Sequence, residues 1–220
     1  MHLFDLSVII QNWPLFWNGL LVTLFYSAIS IAAGLVIGLV IGLIQLTGSR
    51  ALSILGRVYV EIFRNIPLLV ILLWIYYAFP IFAGLAVTKF WAGFAGLSLY
   101  AGAFYAEILR AGVQSIDKGQ TDASTALGMT YGQRMRRIIL PQAFRRMIPP
   151  LAGQSIIQIK NTTLMSMITV PDLLYQASYV SSFTYRPMEV YTMVGVMFLV
   201  LLVPLTFLSR KLETISERVK

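Results

Sequence analysis

QSIDKGQTDASTALGMTYGQRMRRIILPQAFRR, running from Gln114 to Arg146, is the one long polar interruption in a chain otherwise built of apolar runs. Its residue types predict two short helices meeting at a tight turn. Ser115 to Leu127 can form the first, and Gly128 stops it, because glycine enters the left-handed region without steric cost. Thr130 opens the second as its N-cap with Gln133 three residues on, a capping box. Pro141 is expected to punctuate the far end, after Ile138, Ile139 and Leu140. Ala123, Ser124 and Ala126 leave a shallow surface on the first helix, while Met129, Tyr131 and Met135 add apolar bulk around the turn. A knob of this shape suits a partner's cleft. A plain helical hairpin packed on its own protein accounts for the same residues equally well.

The rest of the chain decides the class. With 58% hydrophobic residues, 12% charged and a mean hydropathy of +0.77, its 220 residues have too little polar surface for a soluble domain. The expectation is an all-α polytopic membrane protein forming one domain over residues 1–220, with the polar hairpin at about 114–146 between the third and fourth of five spans. Five apolar stretches approach the roughly 20 helical residues that cross a bilayer: Leu20 to Leu46, Val58 to Phe79, Leu97 to Val113, Pro149 to Ile168, and Val190 to Leu208. The first lacks a basic segment before it and is too long for a signal peptide, so it is expected to remain as an anchor.

Basic residues set the expected orientation. Arg50 and Arg57 follow the first span; Lys118, Arg134, Arg136, Arg137, Arg145 and Arg146 follow the third; Arg210, Lys211, Arg218 and Lys220 follow the fifth. Only Lys89 and Arg186 fall in the other two loops. The N-terminus is therefore expected outside and the C-terminus in the cytoplasm. The net charge of +8 follows from this bias and from anionic headgroups, so no nucleic-acid partner is needed.

Within the first span Gly34, Gly38 and Gly42 recur every fourth residue, a face that admits another helix closely in lipid. Pro80 to Gly96, with Phe90, Trp91 and Phe94, reads as a short interfacial helix on the outside, and Trp13 and Trp17 are expected at the same interface. No internal repeat is apparent. Alternating access usually needs two related halves around one site, so five spans make only one half.

The inventory argues against an enzyme. There is no Cys, the single histidine is His2, and no Gly-x-x-x-x-Gly-Lys phosphate loop occurs. Nucleophilic triads, metal sites and self-contained ATP hydrolysis all lack parts, so any energy must come from another protein. The fourth span carries Gln154, Gln158, Lys160, Asn161, Thr162 and Thr163, where lipid penalises exposure. At 100° per residue Gln154, Gln158, Asn161 and Met165 share a narrow stripe with Thr162 at its edge, whereas Lys160 and Thr163 point away. The stripe and Lys160 are candidates for a substrate pathway, against a plain alternative of interhelical hydrogen bonds and a snorkelling lysine. Either Lys160 serves a different contact or the helix breaks near it. Glu61 with Arg64, and Glu107 with Arg110, stand at i, i+3 near the expected cytoplasmic ends. They are local ion pairs or, together, a charged network closing the inner mouth. No carboxylate falls deep in a span, while Lys160 suits an anion, which favours an acidic or amide amino acid over a basic one.

These pieces together resemble the permease (inner-membrane) subunit of ABC importers of the polar amino-acid uptake family. The family's cytoplasmic loop reads Glu-Ala-Ala, three residues, Gly, nine residues, Ile, one residue, Leu-Pro. Asp122-Ala123-Ser124, Gly128, Ile138, Leu140 and Pro141 fall on it without a gap, with Asp122 in place of Glu and Ser124 in place of the second Ala. Further matching pieces are Gly19-Leu20 with Thr23-Leu24, Glu61 to Leu69, Tyr105 to Gly112, and Ile159 to Leu164. The resemblance implies a type I permease fold in the bacterial inner membrane and a second permease chain, identical or homologous. It also implies two ATPase subunits holding ATP and Mg, no cofactor in this chain, and an external solute-binding protein. It assigns Asp122, Ala123, Ser124, Gly128, Met129, Ile138, Leu140 and Pro141 to ATPase coupling. It implies a polar amino acid as cargo, and the residue reading above favours glutamate, aspartate or glutamine among these. A basic amino-acid importer, a self-sufficient channel or ion-coupled transporter, and a membrane scaffold or receptor are the alternatives.

Overall fold

The computed structural model describes residues 5–46 and 49–217, and His2, Arg218 and Lys220 lie outside them. Every regular element among the described residues is helical. A short helix α1 (Ser7–Gln11) leads into α2 (Trp13–Leu46), then α3 (Arg50–Asn65), α4 (Leu68–Leu73), a π-helical turn (Trp74–Ala78) and α5 (Phe79–Ala83). The long α6 (Lys89–Gln114) precedes two short helices, α7 (Lys118–Ala126) and α8 (Tyr131–Arg134), and a second π-helical turn (Met135–Ile139). The chain closes with α9 (Leu140–Asn161), a 3-10 turn (Thr162–Ile168), α10 (Leu173–Thr184) and α11 (Pro187–Glu217).

The centre of the bundle is the pair α2 and α6. The glycine face of α2 is spent on this contact within the chain. A Cβ placed on Gly34 would lie 2.7 Å from the Cβ of Ala101, and one on Gly38 would lie 2.5 Å from the Cβ of Tyr105. Only a residue without Cβ permits backbones this close. Gly34 faces Ala101, Gly38 faces Tyr105 and Gly42 faces Leu109, so the two helices run in the same direction. The chain between them must therefore return along the bundle. It does so through α3 to α5: Gly56 lies beside Gln45, Tyr59 donates to the Leu99 carbonyl at 2.6 Å, and Leu72 packs on Gly96.

That return is not the continuous helix expected from Val58 to Phe79. Pro67 pushes Ile66 into extended backbone (φ −87°, ψ 127°), and the helices on either side diverge by 101°. Nor is Pro80 to Gly96 a separate interfacial helix. Gly84 ends α5 in the left-handed conformation (φ 66°), and Thr88, accepting from the Trp91 amide, caps α6, so Phe90, Trp91 and Phe94 belong to the first turns of the long helix.

Among the described residues three helices are long and apolar enough to cross a membrane: Trp13–Leu46, Lys89–Gln114 and Pro187–Lys211. The bent pair Arg50–Asn65 and Leu68–Ala83 makes a fourth when taken as one broken span. The stretch from Pro149 to Ile168 is not among them: its α-helix ends at Asn161, and the earlier turns of α9 carry Arg145 and Arg146. It nevertheless runs the length of α6 in the opposite sense, from Met147 beside Gly112, through Ser155 bonded to Tyr105, to Met165 beside Gly93.

Candidate functional site

The polar stretch folds as a knob at the end of the bundle where α6 finishes. Asp117 caps α7 by accepting from the Gly119 amide at 2.6 Å, which starts that helix at Lys118 rather than at Ser115. Its C-terminus closes as a Schellman motif: Gly128 donates to the Thr125 carbonyl at 2.9 Å and Met129 to the Ser124 carbonyl at 3.1 Å. Gly128 has φ 72°, the left-handed conformation expected at this turn, and nothing lies within 4 Å of where its Cβ would stand. Thr130 and Gln133 form the expected capping box. Arg134 ties the two short helices by donating to Thr125 Oγ1 at 2.9 Å.

Pro141 does not end the second helix. The chain passes from α8 through the π-helical turn into α9, and Pro141 sits in the first turn of α9, where its missing N–H costs no intrahelical bond. Behind the knob, Ile139 and Ala143 pack on Ile116 and Met147, and Arg146 donates to the Ser115 carbonyl at 2.5 Å. The front is bare. Asp122, Ala123, Leu140 and Pro141 are exposed, Met129 and Ile138 are half-buried, and Leu127 at the tip is 79% exposed. Ser124 is the exception: it is buried, with its hydroxyl donating to the Thr121 carbonyl at 2.8 Å.

Beside the knob lies a charged cluster. Glu107 accepts from Arg110 through both oxygens, with Nε at 3.0 Å. Arg110 also donates to Gln114 Oε1 at 2.6 Å. Arg64 reaches across from α3 to Glu107 at 3.8 Å and lies over the Phe104 ring. The expected local pair of Glu61 with Arg64 does not form. Glu61 instead accepts from Asn65 Nδ2 at 2.8 Å, so three of the four residues meet and Glu61 stands one turn off.

The polar stripe of α9 turns into the chain's own interior. Gln158 is fully buried and donates to the Leu97 carbonyl at 3.0 Å and to Ser30 Oγ at 3.3 Å, while its own carbonyl accepts from Asn161 at 3.5 Å. Gln154 is buried with Nε2 unpartnered, and Thr162 bonds back to the Ile159 carbonyl at 2.7 Å. Lys160 points the other way and is exposed. The α-helical period stops at Asn161, immediately after it, where the 3-10 turn begins. Gln154, Gln158 and Thr162 are thus brought together, Asn161 sits half-buried at their margin, and Lys160 is apart.

Two buried carboxylates escaped the sequence. Asp172, fully buried, caps α10 by accepting from the Tyr175 amide at 2.9 Å, and its Oδ2 has no partner. Burial pushes this carboxyl up to about 7. Glu189, 3% exposed, joins Arg186 at 3.1 Å and the Asp5 amide at 3.3 Å. Asp172 carried a legible signal, an N-cap residue after Pro171 and before an apolar run.

Comparison with known proteins bears on these features together. The family described as binding-protein-dependent transport system inner membrane component matches residues 34–214. The chain is 40% identical over 213 residues to the probable glutamine ABC transporter permease protein GlnM of Bacillus subtilis (strain 168), covering 95% of this chain and 98% of that protein. It is 33% identical over 209 residues to the arginine transport system permease protein ArtQ of the same organism, covering 95% of each. Its fold superposes on a crystal structure of an amino acid ABC transporter with histidines at a TM-score of 0.90 and 33% identity, covering 97% of this chain and 98% of that one.

Proposed function

The chain belongs to the family of binding-protein-dependent transport system inner membrane components, and from that premise we propose that it is the permease subunit of an ATP-driven importer of a polar amino acid. It is a transport subunit and not an enzyme; ATP hydrolysis falls to a separate subunit. The carrying observation is the knob around Gly128, a bare, well-capped turn held out from an apolar bundle. Asp122, Ala123, Ser124, Gly128, Met129, Ile138, Leu140 and Pro141 form its docking surface, with Ser124 setting the helix spacing from within. One such knob seats in each of two ATPases, whose closure on ATP rocks two permease chains from inward-open to outward-open. An external solute-binding protein delivers the cargo.

The chain crosses the membrane five times, with the bent α3–α5 and the amide-bearing α9 as the two crossings that hydropathy alone does not reveal. The parallel course of α2 and α6 supports the first, and the run of α9 along α6 supports the second. The N-terminus then lies outside, and the knob and C-terminus in the cytoplasm, in keeping with the basic residues around the knob. Arg64, Glu107 and Arg110, with Glu61 beside them, close the inner mouth.

Cargo passes along the margin of α9, where Lys160 receives its carboxylate and Asn161 its polar side chain, while Gln154, Gln158 and Thr162 hold the helix in place. Amides and a lysine, with no carboxylate among them, favour glutamine or an acidic amino acid, and the relative named for glutamine supports the amide. Competition uptake decides this: glutamine should displace labelled cargo, and effective competition by arginine and lysine alone would transfer the assignment to basic amino acids. For coupling, Gly128→Trp should insert normally yet separate ATP hydrolysis from uptake. Wild-type uptake by that variant would count decisively against the docking role.

A further inference from the structure

At the knob end of the bundle, between α2, α3 and α6, lies a cavity of about 290 Å³ lined by Gln45, Arg57, Glu61, Glu107, Arg110 and Gln114. It is separate from the polar stripe of α9, none of whose residues line it. Two of its charges are spent on each other, since Glu107 holds Arg110. The other two are not. Arg57 donates to Ser53 Oγ at 3.3 Å and Glu61 accepts from Asn65, and no ion pair joins Arg57 to Glu61 among the described residues. They stand at i, i+4 on α3, one turn apart, with about 5–6 Å between their Cβ atoms. A third group is left open: Gln45, 8% exposed, donates to the Gly56 carbonyl at 3.1 Å, but its Oε1 has no partner. A buried acceptor without a donor is costly unless something fills it.

We propose that this cavity is a second amino-acid site, open to the cytoplasmic side, that takes a zwitterion: its α-carboxylate on Arg57, its α-ammonium between Glu61 and Gln45 Oε1. The balance of charge selects this chemistry. Two carboxylates and two guanidiniums give no net attraction for a simple anion such as a phosphate, whereas one unpaired charge of each sign, a helical turn apart, matches the two ends of an α-amino acid. The volume, that of about ten waters at roughly 30 Å³ each, is ample for a small amino acid. A site here, beside the inner-mouth cluster and the knob, meets cargo that has already crossed. Accumulated product occupying it holds α3 against α6 and slows the next cycle. The identity of the ligand rests on the amino-acid importer proposed above.

The test uses the purified importer complex in lipid nanodiscs and equilibrium binding of radiolabelled L-glutamine, with uptake by the same preparation in proteoliposomes measured in parallel. Wild type should bind at least one more glutamine per permease chain than Arg57→Gln or Gln45→Met, or the variants should weaken that component about tenfold or more. Arg57→Lys, which keeps the charge, should retain most of it. Proteoliposomes preloaded with glutamine should take up cargo more slowly in wild type than in Arg57→Gln, with equal rates when the lumen is empty. Coincident isotherms for wild type and both variants overturn the site, as does competition by glycerol phosphate in place of glutamine. Coincident isotherms with intact uptake leave the importer standing. Arg57-dependent binding with no uptake leaves the site standing and sinks the importer.

Discussion

Replacing Gly38 by alanine adds one methyl group to the most crowded point between α2 and α6. The new Cβ would stand 2.5 Å from Tyr105 Cβ, 3.0 Å from the Ala106 amide nitrogen and 3.1 Å from the Tyr105 carbonyl carbon. Ordinary carbon contacts lie at about 3.5–4.0 Å. Two of these neighbours are backbone, so relief comes only by moving the helices apart by roughly 1 Å. A gap of that size forfeits about a quarter to a half of each contact's attraction along the seam. Overpacking of this kind costs about 1–3 kcal/mol. Better helix propensity returns about 1 kcal/mol, because alanine exceeds glycine by that amount in a helix interior. The net change lies between about zero and a loss of about 2 kcal/mol, for a chain of this size a fall of at most roughly 8 °C in the thermal midpoint, and it stands about 1–3 kcal/mol below a variant that gains propensity alone. Gly195→Ala in α11 is the control, since nothing lies within 4 Å of its Cβ and only the propensity gain applies. Tryptophan fluorescence on heating the detergent-solubilised complex reads both. A Gly38→Ala variant as stable as Gly195→Ala would refute the close-packed seam.

Further outcomes follow from other contacts. Gln158→Leu should lower the thermal midpoint, by about 1–2 kcal/mol of stability, because the Leu97 and Ser30 oxygens lose their shared donor, while leaving the KM for cargo unchanged; Lys160→Met should do the reverse, raising KM with little change in stability. Glu107→Gln leaves Arg64 and Arg110 facing each other and should lower uptake roughly tenfold while raising ATP hydrolysis in the absence of cargo; unchanged values for both would remove the cluster from the gate. The Asp172 carboxyl is raised from 3.8 to about 7, so its contribution to stability is full below the unfolded value and is lost as pH rises through about 7. The wild-type midpoint should therefore fall between pH 5 and pH 8, and Asp172→Asn should flatten that part of the curve; an equal slope in the variant sinks the assignment.

Local chemistry was the legible part of this chain. The capping box at Thr130, the left-handed Gly128 and the close approach along Gly34 and Gly38 each depend on one or a few neighbouring residues, and each was readable as such. What the glycine face would meet was not, because a pattern on one helix does not say whether its partner is its own chain or another; here it is α6. The break at Pro67 was visible as an X-Pro step, but long apolar runs on both sides concealed the 101° bend. Pro141 misled in the opposite direction, since a first-turn proline begins a helix as readily as it follows one. In the charged cluster, sequence spacing offered Glu61 to Arg64, whereas packing of α3 against α6 gave Arg64 a partner 43 positions away in Glu107. The stripe of α9 was read in the right register, yet only the tertiary fold turned Gln158 onto Leu97 and left Lys160 outside.

The most direct test of the central claim is to isolate the chain, C-terminally tagged, from its native membranes in mild detergent and identify by mass spectrometry what accompanies it. Wild type should carry an ATPase subunit, in equal number with permease chains. A second, different five-span chain alongside would define a heterodimer, and an ATPase alone a homodimer. Recovery of wild type without any ATPase would contradict the account and point to a transporter that works by itself.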